Sequence, residues 1–80
     1  MPTVHTIGGI KIRIYFGDHD APHIHVFDGG LEARVEIATG RHMEGEIKST
    51  SLRKVAAWLA ANRAAVLATF LDYQKKGSKP

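Results

Sequence analysis

His23-Ile24-His25-Val26-Phe27-Asp28-Gly29-Gly30-Leu31-Glu32-Ala33-Arg34-Val35-Glu36-Ile37 reads as two strands folded back across a tight turn. Apolar and polar residues alternate on both arms. Ile24 and Val26 point one way, with His23, His25 and Phe27 opposite; Leu31, Ala33, Val35 and Ile37 point one way, with Glu32, Arg34 and Glu36 opposite. A period of two is the mark of a half-buried strand. Asp28-Gly29-Gly30 supplies the positive φ that a tight hairpin needs.

The same pattern extends in both directions. Upstream, Gly8-Gly9 divides Thr3–Ile7 from residues 10–16, where Ile10, Ile12, Ile14 and Phe16 share a face opposite Lys11, Arg13 and Tyr15. Downstream, Thr39-Gly40 precedes a strand over residues 42–47, with Met43 and Ile47 facing in and His42, Glu44 and Glu46 out. Strands with one polar face each predict an antiparallel sheet covered on one side only. Gly8-Gly9 is a turn and not a phosphate loop, because no helix follows it.

The second half supplies the cover. Ser49, Thr50 and Ser51 are offered as N-caps before an Ala- and Leu-rich run. Leu52, Val55, Ala56, Leu59, Val66, Leu67 and Phe70 recur at helical spacing, flanked by Trp58 and Tyr73. Trp58 reads as a core or interface anchor. Arg63 falls inside this stripe, so a break is expected near Ala61-Asn62, with Asn62 capping a second helix. One kinked helix with Arg63 snorkelling is the alternative. The expected fold is α+β: a five-stranded antiparallel meander, then two C-terminal helices or one kinked helix packed on one face. It forms a single domain over 1–80, with sheet in 3–47, helical cover in 50–76 and a frayed tail in 77–80.

Eighty residues fit one domain and bury only about 60% of the unfolded chain's surface, so the core is modest. Without cysteine there are no disulfides and no thiolate metal sites. The N-terminus lacks a signal-peptide pattern, and no uninterrupted apolar run approaches the roughly 20 residues of a membrane span. A cytoplasmic location is expected, with no membrane association. Charge is uneven. Residues 1–50 carry five Lys/Arg against seven Asp/Glu, a net −2, whereas residues 51–80 carry six Lys/Arg and only Asp72, a net +5. The basic end could meet nucleic acid or an acidic partner; the plainer reading of Lys75, Lys76 and Lys79 is a solvated tail.

Three stretches carry a resemblance: Met1-Pro2-Thr3 with Gly8-Gly9-Ile10-Lys11-Ile12-Arg13-Ile14-Tyr15; Asp18-His19-Asp20-Ala21-Pro22-His23-Ile24-His25-Val26; and Val55-Ala56-Ala57-Trp58-Leu59. In this order they resemble the short bacterial proteins of the family known as domain of unknown function 4160. The Asp-His-x-x-Pro-His-x-His-Val core is its most specific part; Ala21 stands where the family usually has a first proline. The resemblance implies a component of a toxin–antitoxin-like two-gene module, whose partner is a small protein encoded by the neighbouring gene. It carries over no catalytic residue.

The histidine segment is the candidate site. His23 and His25 lie two apart on a strand, so their rings are expected on one exposed face about 7 Å apart. His19, Asp18 and Asp20 precede them, and Lys11, Arg13 and Tyr15 stand on the neighbouring strand. Three chemistries suit this set. One is metal-independent ribonuclease action, with His23, His25 and His19 as the candidate acid and base and Arg13 or Lys11 stabilising charge. A second is a metal- or ligand-binding accessory domain without catalysis, with His-x-His and His19 or an aspartate as ligands. The third is recognition of RNA or a protein by a binding surface of Asp18, Lys11, Arg13, Tyr15, Phe27 and Arg34 beside the histidines. Against all three stands the plain alternative of tolerated polar residues on a strand, with Asp18 closing an Asx-turn. The favoured reading is a partner-binding module component, with RNA as a further ligand and no cofactor or bound metal. An unshielded strand edge also allows a homodimer. His5 and His42 are expected at the surface.

Overall fold

The computed structural model describes residues 3–15 and 21–77. Phe16, Asp18, His19 and Asp20, and residues 78–80 of the tail, lie outside these. Five strands, β1 (Thr3–Ile7), β2 (Ile10–Arg13), β3 (His23–Asp28), β4 (Leu31–Glu36) and β5 (His42–Gly45), precede one helix, α1 (Ser49–Gly77). Strand order in the sheet follows the chain, and every neighbouring pair is antiparallel. The meander expected from the glycine turns is therefore the observed one.

Alternation sets what each face carries. Ile10, Ile12, Ile14, Ile24, Val26, Ala33, Val35 and Ile37 are buried on the helix side, where Val55, Leu59, Val66 and Phe70 of α1 meet most of them. Leu52, Trp58, Leu67 and Tyr73 pack around that cluster, partly buried. Each large aliphatic side chain withdrawn from water contributes about 1.5–3 kcal/mol, and this contact between sheet and helix is the core of the described residues. Ser49–Gln74 has the length and, marginally, the hydropathy of a membrane-crossing helix. Here its apolar stripe is covered by the sheet.

The structure corrects three local expectations. First, α1 is a single helix. Asn62 caps nothing, because its Nδ2 donates to the Trp58 carbonyl one turn back, at 2.8 Å. Arg63 stays inside the stripe because its Nε donates to the Ile37 carbonyl at 2.7 Å, which gives a half-buried guanidinium an acceptor just past the end of β4. Second, the helix begins one step before the expected caps. The Lys48 carbonyl accepts the first helical bond from the Leu52 amide, so Ser49, Thr50 and Ser51 occupy the first turn. Ser51 is buried and donates its hydroxyl to the Asp28 carboxylate instead. Third, β5 is not a simple alternating strand. The register slips between Arg34 and Val35, leaving Met43 extra, and pairing ends at Gly45 with φ +83°. A Cβ at Gly45 would lie 2.3 Å from the Glu32 carbonyl oxygen, so this position admits only glycine without movement.

Candidate recognition face and the buried histidine pair

On the side of the sheet away from α1, the registers line up a grid of side chains. Lys11 lies opposite Phe27, and Phe27 opposite Glu32. In the next row Arg13 lies opposite His25, His25 opposite Arg34, and Arg34 opposite Glu44. The alternation in the sequence thus predicts correctly which residues share this face; the register between them comes from the structure. Alternation does not predict how covered they are.

The two central histidines are not exposed. His23 is 1% and His25 8% accessible. The Tyr15 ring stacks on His25, with centroids 4.1 Å apart and planes within 17°. Phe70, from the C-terminal part of α1, approaches His23 to 5.8 Å between ring centres. The two imidazoles lie 5.0 Å apart and tilted, so Phe70, His23, His25 and Tyr15 form a continuous run of rings. His23 Nδ1 lies 2.7 Å from the Ala21 carbonyl. A carbonyl can only accept, so this nitrogen carries the proton. His25 Nδ1 is 3.7 Å from a Glu32 carboxylate oxygen. The expectation of two uncovered imidazoles is corrected. Parity puts the rings on the polar side, but both are buried, with Tyr15 stacked on His25 and Phe70 against His23.

The remaining cations divide into two kinds. Arg34 makes an ion pair with Glu44, and Arg41 lies 3.9 Å from Glu36. Lys11 and Arg13, by contrast, meet no carboxylate among the described residues. Arg13 is half-buried, with its guanidinium 5.1 Å from the centre of the Phe27 ring, a cation–π distance. Its Nε makes no hydrogen bond with any described residue. Lys11 is exposed. Together with Gly9 and Gly29 these three line an open hollow of about 400 Å³. A second hollow of about 390 Å³ is lined by His25, Glu32, Arg34 and Glu44, with Ala33 and Gly45. The face therefore runs from an uncompensated cationic corner on β2 and β3 to a charge-balanced, acid-rich flank on β4 and β5.

Of the sequence-predicted site residues, Lys11, Arg13, Tyr15, Phe27, Arg34, His23 and His25 gather on this face, while Asp18 and His19 fall outside the described residues. No group of three metal-binding side chains converges among the described residues. His5 and His42 are exposed, as expected. His5 also stacks on Trp58 at 4.8 Å, and His42 Nε2 lies 2.8 Å from the Gly45 carbonyl. Sequence reasoning missed Phe70 as a neighbour of His23. It also missed Gln74, whose Nε2 donates to the Tyr15 carbonyl at 3.2 Å and holds the helix end beside that residue. Neither contact leaves a periodic signal in sequence.

Fold and face together define a small α+β domain with one sheet, one helix and a cation–aromatic corner on the uncovered side of the sheet. The chain belongs to the family described as Domain of unknown function (DUF4160), which matches residues 9–70. The matched span holds β2 to β5, the hollow beside Lys11, and α1 as far as Phe70. No curated protein matches the chain. No solved structure matches it.

Proposed function

We propose that this protein is a component of a bacterial toxin–antitoxin-like two-gene module, working in the cytoplasm by holding a small protein partner on its outer sheet face. One observation carries the reading. The cations on that face without a carboxylate partner stand around an accessible hollow with an aromatic floor, while the two histidines that strand cleavage would need are buried. Arginine and aromatic side chains side by side are what the energetic centres of protein interfaces use. General acid–base cleavage needs both imidazoles within hydrogen-bond reach of a substrate. Tyr15 over His25 and Phe70 against His23 work against that access.

The test is expression of the protein alone and together with the product of the adjoining gene, scoring growth and co-purification. The expected result is a stable complex that Lys11→Glu and Arg13→Glu weaken and Arg34→Gln does not. Cleavage of RNA by the purified protein, lost in His25→Ala at unchanged melting temperature, would overturn the reading in favour of catalysis. Failure of the two products to associate under any condition would remove it altogether.

A further inference from the structure

The hollow between β2 and β3 has a chemistry that selects among occupants. Its cations, Lys11 and Arg13, come from one strand, and its floor, Phe27, from the next, held in register by the Lys11–Phe27 and Arg13–His25 pairings. Gly9 and Gly29 stand at its rim, and a Cβ on either would meet nothing within 4 Å, so the rim is open. Among the described residues, Arg34 pairs with Glu44, and Arg41 lies beside Glu36. Lys11 and Arg13, which meet no carboxylate among the described residues, therefore put uncompensated positive charge at this corner.

Resting on the reading that this face docks a protein, we propose that the hollow takes an acidic segment of that partner, a carboxylate between Lys11 and Arg13 with an apolar neighbour against Phe27. The Arg13 guanidinium, 5.1 Å from the centre of the Phe27 ring, offers a carboxylate parallel N–H donors, a paired and planar contact that a lone ammonium does not. The alternative occupant, a nucleic-acid strand, carries charge along its whole length. Glu32, Glu36 and Glu44 lie on β4 and β5 of the same face. Neighbouring strands are about 4.8 Å apart, and screening at physiological salt extends only about 8 Å. A backbone laid across the sheet would thus leave two cations and meet carboxylates within two strands. A single acidic side chain meets only the corner.

The experiment is a chemical-shift titration of isotope-labelled protein with three probes: a short acetylated peptide rich in Asp and Glu around one Phe, the same peptide with Asn and Gln in their place, and a single-stranded RNA. The acidic peptide should shift Gly9, Lys11, Arg13, Phe27 and Gly29, with salt weakening it. Lys11→Glu and Arg13→Glu should each reduce affinity by roughly tenfold, and the neutral peptide should bind less by a similar factor. RNA shifting the same residues more tightly than the acidic peptide would overturn the assignment, as would shifts centred on Glu32 and Glu44 or no shifts at all. A partner complex that survives both charge reversals would sink this corner's role and leave the docking function standing.

Discussion

Ser51, in the first turn of α1, donates a hydrogen bond to Asp28 at the end of β3, joining helix to sheet across 23 positions of sequence. The first turn of α1 has no acidic residue of its own, so Asp28 supplies the negative charge that a helix N-terminus favours. A half-buried bond to a charged acceptor is worth about 2 kcal/mol. Ser51→Ala and Asp28→Ala should each lower stability by about that amount, which is roughly 10 °C in Tm for a domain of this size. The double variant should cost little more than either single one, because both remove one interaction. Additive losses in thermal melting would refute the link.

Gly45 ends β5 in a conformation that L-residues avoid, with the Glu32 carbonyl where a Cβ would go. Gly45→Ala should cost about 3 kcal/mol, combining left-handed strain with a backbone clash. Gly29 also has positive φ, at +62°, but a Cβ there meets nothing within 4 Å. Gly29→Ala should therefore cost only about 1 kcal/mol. Urea titration of the pair separates crowding from strain; equal losses would contradict the geometry at Glu32.

What was legible in the sequence follows from how local each cause is. Alternation from Ile10 to Ile37 and the glycine turns are local, and they give the meander and the sides of the sheet directly. The helix count is not local. Arg63 looks like an interruption until the Ile37 carbonyl, 26 positions away, is found to accept from it. The histidine pair shows the same division. Its place opposite Arg13 and Arg34 comes from strand pairing, but the rings that meet it, Tyr15 on His25 and Phe70 near His23, are ones no short-range pattern connects to it. The bulge at Met43 was hidden for a different reason: His42-Met43-Glu44 fits alternation just as well as a slipped register does.

Asn62 distinguishes one helix from two in solution. As an N-cap it would lose about 1 kcal/mol on replacement by alanine. In a helix interior, exposed and bonded only to the carbonyl one turn back, it should instead gain a few tenths of a kcal/mol, since alanine is the better helix former. Asn62→Ala is expected to hold or raise both Tm and helical circular dichroism. A drop in both would restore the two-helix reading.

His23 separates a structural from a surface role within the candidate site. Its ring is 1% exposed, close to Phe70 and His25, and held to the Ala21 carbonyl. His23→Ala opens a cavity and should cost about 3 kcal/mol, in the range for truncating a buried ring. Lys11→Glu, on an exposed side chain that meets no carboxylate among the described residues, should change stability by less than about 0.5 kcal/mol. The two variants should also differ in binding once the loss of fold is allowed for. At a temperature where both are fully folded, His23→Ala should retain partner affinity and Lys11→Glu should weaken it. The reverse pattern, a stable His23→Ala that no longer engages its partner, would place the recognition chemistry on the imidazoles and not on the cationic corner.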